Sequence, residues 1–255
     1  MEKTKRSFLP WGMVSTILTL AWPTMLEELM QTAVQYIDTA MVGAIGTQAT
    51  AAVGATSTVN WLIGSTVAAI GVGFLSFVSQ ACGAGDTKRA GKASSQAVLA
   101  VLVCGTFFTV LMLALSSKVP VWMQVDPAIQ DLAAQYFFIL YTPMLARAAI
   151  TIFGTLLRSA GDAKTPMRVG FLVNGVNAVL NLLLIYPTRQ VWGMTVFGAG
   201  WGVIGAAVAS AISFVIFFPS FAVASTVMMW PWVTGVCTRM PVALTCGMMV
   251  MRSTA

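Results

Sequence analysis

Long apolar runs at residues 12–42, 51–79, 94–117, 130–157, 168–187 and 197–224 alternate with short polar segments. Each run is continuous, and most reach the ~20 residues that a helix needs to cross a bilayer. The pattern predicts an all-α polytopic membrane protein whose six transmembrane helices form one lobe. It excludes a membrane β-barrel, whose strands alternate apolar and polar positions. The polar connections are AIGTQAT (44–50), QACGAGDTKRAGK (80–92), residues 116–127, LRSAGDAKTPMR (157–168) and PTRQVWG (187–193). The expected division is a six-helix lobe over 1–225 and an atypical tail over 226–255. In that tail Pro, Cys, Thr, Met and Arg mix without helical periodicity, as at a truncated or out-of-frame end. Gly198 and Gly202 form a GxxxG, and Gly202, Ala206 and Ser210 continue a stripe of small residues. Such stripes let helices pack closely in lipid.

Charge supports this picture. Of 255 residues 58% are hydrophobic and only 9% charged, with a mean hydropathy of +0.84. Soluble domains carry about a quarter charged residues. The formal charge of +6 lies in short clusters between apolar runs. No basic groove with interleaved aromatics exists, which excludes nucleic acid as a partner. Alternating topology puts Lys3, Lys5, Arg6, Lys88, Arg89, Lys92, Arg158, Lys164 and Arg168 on one side, against Lys118 and Arg189 on the other. The positive-inside rule then predicts a cytoplasmic N-terminus, and the expected location is the plasma membrane. Trp11, Trp122 and Trp192 near span ends suit an interfacial aromatic belt. MEKTKR and the run after it lack a small-x-small cleavage site, so a retained first span is expected rather than a signal peptide.

Several chemistries drop out. Histidine is absent, which removes His-dependent triads, metal sites and proton relays. Cys82, Cys104, Cys237 and Cys246 show no CxxC spacing, against a zinc site or disulfide framework. No metal, cofactor or enzymatic activity is expected. GAGD (83–86) and SAGD (159–162) lack the GxxxxGK[ST] pattern of a phosphate loop and read as cytoplasmic turns.

The informative residues are the polar ones inside the apolar runs. Gln31, Gln35 and Asp38 stand at i, i+4 and i+7, one face of the first helix. Glu27 or Glu28 continues that face toward the cytoplasm, and Pro23 below it is placed to bend the helix. Asn174, Asn177 and Asn181 form a second stripe in the fifth run. Asp38 and Asn181 both fall near the outer ends of their runs, so the stripes are expected to share an aqueous cavity. Intramembrane amides often serve only as interhelical hydrogen bonds. A charged Asp costs ~2.5–3.5 kcal/mol at a helix centre on insertion scales, and such residues usually line pathways or relays. A carboxyl group there holds a cation when ionised and releases it when protonated. Arg147, a second costly charge, is expected to form an ion pair with Glu27 or Glu28 at similar depth.

LAWPTMLEELMQTAVQYIDTAMVGAIG, LRSAGDAKTPM, and NAVLNLLLIYP followed by FGAGWGVIGAAVAS resemble segments of the multidrug and toxic compound extrusion (MATE) family. The resemblance covers about residues 8–215. It implies one lobe of a two-lobed antiporter that expels small cationic or amphipathic compounds in exchange for protons or sodium. The family's first-span Asp corresponds to Asp38, its bend-forming Pro to Pro23 and its fifth-span Asn to Asn177. Asn181 stands where many relatives have Asp. The resemblance makes Asp38 the coupling residue and Gln31, Gln35, Tyr36, Asn174, Asn177 and Asn181 the cavity lining. A second lobe or second copy is the implied partner, alongside membrane lipid. The alternatives are a flippase for lipid or polysaccharide precursors, which needs a basic cavity, and a non-transporting remnant.

Overall fold

The structure, a computed structural model, describes residues 11–191 and 194–236. Lys3, Lys5, Arg6, Trp192, Cys237, Cys246 and the tail beyond residue 236 lie outside the described residues. In lipid every backbone N–H and C=O must find its partner within the protein, and a helix meets that demand locally. The apolar runs accordingly become α1 (Trp11–Gly43), α2 (Thr47–Gly83), α3 (Thr87–Leu115), α4 (Val119–Trp122), α5 (Gln130–Tyr141), α6 (Met144–Ser159), α7 (Lys164–Leu184) and α8 (Gly202–Val236). Among the described residues, α2, α3, α7 and the Gly202–Pro219 part of α8 are each long and apolar enough to cross a membrane alone. The α5–α6 pair makes a fifth crossing if it is one span. α1, at 33 residues, is long enough as well but carries three acids.

The fourth run, read as one helix over 130–157, is broken. Pro143 has no N–H to continue α5, and its ring clashes with the preceding turn. The chain bends by 48° between α5 and α6. α6 is the hub: it packs on α2, α3 and α8, and none of its residues is exposed. Ile63 and Val67 of α2, Ala97 and Val101 of α3, and Phe137 and Tyr141 of α5 bury against Ala148, Ala149, Ile152 and Leu156 of α6. Gly105 of α3 lets the Leu145 backbone approach, since a Cβ there would lie 3.1 Å from Leu145 Cα.

Two expectations for the α7–α8 connection need correction. The connection after α7 is an antiparallel hairpin, β1 (Pro187–Val191) with β2 (Met194–Ala199), and α8 starts at Gly202 rather than 197. Gly198 therefore lies on β2, where a Cβ would collide with the Tyr186 carbonyl. Gly202 opens α8 at φ +58°. The GxxxG is not a helix-packing motif. The contact it was expected to make belongs to Gly205, whose Cβ position is 2.6 Å from Leu184 Oof α7. α8 runs without interruption across residue 225 to Val236.

GAGD and SAGD do form turns, and the same one twice. Gly85 (φ +71°) and Gly161 (φ +89°) take the left-handed conformation that glycine adopts without strain. Asp86 N–H closes onto Ala81 O and Asp162 N–H onto Leu157 O, each at 3.0 Å. Each Asp then accepts from a backbone N–H of the following helix, Arg89 at 2.9 Å and Thr165 at 3.0 Å. The carboxylate thus caps orphan donors at a helix N-terminus.

Candidate functional site

α1 and α7 lie side by side in register. Asp38 meets Asn181, and Glu27 lies beside Gly170, both pairs separated by 143 residues in sequence. Equal spacing over three turns means that the helices run parallel, so Asp38 of the first polar stripe faces Asn181 of the second. Asn181 Nδ2 donates to Asp38 Oδ1 at 2.6 Å and to Asn177 Oδ1 at 3.0 Å. Asn177 Nδ2 in turn donates to Ser210 Oγ of α8 at 3.0 Å. Asn181 is 1% exposed, and its Oδ1 is buried without a hydrogen-bond partner among the described residues. Buried acceptors are normally satisfied. Here one stands open beside a half-buried carboxylate.

The other expected lining residues divide. Asn174 is half-buried and enters none of these hydrogen bonds. Gln31, Gln35 and Tyr36 are exposed, Tyr36 by 73%, on the surface of α1 outside the network. Pro23 is buried inside α1, which continues past it on both sides. Ser210 is the addition. It was expected only as a small residue for packing, and nothing in the sequence set its hydroxyl against Asn177.

The expected Arg147–Glu27 pair is wrong. Glu27 Oε2 accepts from Arg158 Nη2 at 2.6 Å, and both side chains are largely buried. The error came from depth. Counting from span ends put Glu27 and Arg147 at one level, but the first half of α1 extends beyond the C-terminal end of α6. The middle of α1 therefore meets the last turn of α6, about 16 Å from Arg147 at 1.5 Å per residue. Arg147 instead donates Nη1–H to Asn60 Oδ1 of α2 at 2.6 Å. Tyr141 OH donates to the same oxygen at 3.3 Å, and the guanidinium carbon lies 5.8 Å from the Phe214 ring of α8. Asn60 carried a signal, an amide in an otherwise apolar run, but only the packing of α2 on α6 gives it a partner. Among the described residues no group of three or more His, Cys, Asp or Glu is placed to hold a metal ion.

A sequence profile of the family described as MatE matches residues 23–183. A probable multidrug resistance protein NorM of Thermotoga maritima is 27% identical over 197 residues, covering 77% of this chain and 41% of that protein. Multidrug and toxin extrusion protein 1 of Xenopus tropicalis is 25% identical over 213 residues, 81% of this chain and 34% of that protein. Among solved structures, a multidrug resistance MATE family transporter of the MOP superfamily in its outward-facing conformation superposes with a TM-score of 0.77 and 27% identity. The match covers 86% of this chain and 46% of that one. A MOP superfamily transporter from Pyrococcus furiosus, for which reversed polarity of the binding pocket suggests a different function, superposes at 0.74 and 27% identity, over 82% of this chain and 44% of that one. The chain thus spans less than half the length of the relatives it matches.

Proposed function

Because the chain belongs to the MatE family, and the relatives described above include multidrug resistance proteins, we propose that it is the N-terminal lobe of a cation-coupled efflux antiporter. The cargo is small cationic or amphipathic compounds, and the coupling ion is a proton or sodium taken up at Asp38. A second lobe, or a second copy, completes the transport path. The lobe sits in the plasma membrane with its N-terminus in the cytoplasm, consistent with Lys88, Arg89, Lys92, Lys164 and Arg168 clustering at the α2–α3 and α6–α7 turns.

One observation carries this reading. The Asp38 carboxylate and the unpaired Asn181 Oδ1 stand together where α1 meets α7. Two acceptors with too few donors suit a cation or a transferable proton. Asn177 and Ser210 fix the Asn181 amide, so the site is held by α1, α7 and α8 together. Binding an ion there changes the charge between these helices. It shifts the inward–outward equilibrium only by the difference in ion affinity between the two forms. A flippase for anionic head groups would need a basic lining at this place, and the group present is an acid.

The test is binding of a fluorescent lipophilic cation to the purified chain in nanodiscs. Sodium or acid is expected to displace the dye from the wild type, whereas Asp38→Asn loses both dye affinity and the displacement. A variant that binds and releases dye like the wild type overturns the assignment.

A further inference from the structure

Arg147 stands apart from the Asp38 network and is the least explained charge in the lobe. It lies near the middle of the α5–α6 span, on the one helix that the others enclose. An arginine has five N–H donors and no acceptor. Asn60 Oδ1 takes one, and the Phe214 ring faces the guanidinium. The ion pair among the described residues is Glu27–Arg158, so no described carboxylate neutralises Arg147. Its Nε and Nη2 find no acceptor there, yet neither is sealed, in contrast to the fully buried Arg158 Nε.

α2 and α8 flank α6 but touch each other little. Gly64 of α2 faces the guanidinium with no side chain of its own, a Cβ there lying in contact at 3.8 Å from Nη2. A role in packing alone does not account for these features. A Met or Leu would fill the same space without an uncompensated charge, and buried charges stabilise poorly even when paired. Phe214 stands one turn along α8 from Ser210, the residue that anchors Asn177. The guanidinium and the acid network therefore border neighbouring turns of α8.

We propose that Arg147, with Asn60, forms a carboxylate-receiving site in the crevice between α2 and α8, so that the lobe recognises molecules carrying a carboxylate in addition to a positive group. The planar fork of a guanidinium matches the two oxygens of a carboxylate, and the free Nε and Nη2 edge is the edge that such a bidentate pair uses. Asn60 and Tyr141 hold the other side of the fork in place. The proposal rests on the efflux reading above and deepens it: Asp38 provides for the positive end of a cargo and Arg147 for the negative end.

The experiment compares a rhodamine dye bearing a free carboxylate with its methyl ester, by fluorescence anisotropy on the purified chain in nanodiscs. The wild type is expected to hold the acid more tightly than the ester. Arg147→Met is expected to weaken acid binding by about tenfold or more while changing ester binding far less, and Arg147→Lys to restore part of it. Asn60→Asp gives Arg147 a carboxylate from within the lobe and is expected to fold and to erase the preference for the acid. That variant decides the matter if Arg147→Met fails to fold. Equal loss of acid and ester in Arg147→Met, an acid preference that survives Asn60→Asp, or a wild type without the preference overturns the carboxylate site. Ester binding reports the Asp38 reading separately: a wild type that binds the ester but does not prefer the acid sinks this proposal alone, and one that binds neither sinks both.

Discussion

Asn181 Nδ2 spends both of its hydrogens within the site, one on Asp38 and one on Asn177. A leucine of similar size would leave Asp38 and the Asn177 carbonyl without this donor. Asn181→Leu is therefore expected to lower the stability of the purified chain by about 1–3 kcal/mol, read as a drop in the thermal midpoint. An unchanged midpoint would mean that water replaces the amide. The same scale holds the Glu27–Arg158 pair. A double-mutant cycle between Glu27→Gln and Arg158→Met is expected to give a coupling of about 1 kcal/mol, whereas Glu27→Gln and Arg147→Met should add independently. Residue spacing alone found Asp38, Asn177 and Asn181, because a polar side chain at helical period in an apolar run stands out. It misassigned Glu27 because a partner's level depends on where each helix begins, which spacing does not contain.

The helices meet where glycine removes the Cβ. At Gly205 the added atom would press on the Leu184 carbonyl, which is backbone and cannot swing away. At Gly54 and Gly73 of α2 nothing lies within 4 Å. Alanine is a better helix former than glycine by up to about 1 kcal/mol. Gly54→Ala and Gly73→Ala should leave the thermal midpoint unchanged or raise it, whereas Gly205→Ala should lower it clearly by prising α8 from α7. Equal effects at all three would show that the α7–α8 contact yields more easily than its geometry indicates. Element identity was legible from the continuous apolar runs. The break at Pro143 and the β1–β2 hairpin were not, since apolar residues fill a bent helix or a short strand as well as a straight helix.

On the proposed reading, the lobe holds the coupling site and shares the transport path with a second lobe. Alternating access needs two bodies that rock against each other, and the chain covers 41% of the Thermotoga maritima relative. The isolated chain reconstituted in liposomes is thus expected to bind a fluorescent cation without moving it down an imposed proton or sodium gradient. Flux is expected once a second lobe is supplied. Flux from the chain alone would show that two copies complete the path.

The helical, membrane-spanning class and the polar stripes were legible in the order of apolar and polar residues, because lipid leaves a backbone little choice but helix and makes each buried polar group conspicuous. Which stripes meet was decided by tertiary structure. The parallel register of α1 and α7 brings Asp38 to Asn181, and the offset of α1 sends Glu27 to Arg158. The enclosed position of α6 leaves Arg147 with Asn60 and no carboxylate. These are differences in height and rotation between helices, set by packing at Gly105 and Gly205 and by the bend at Pro143, and a linear pattern carries neither quantity.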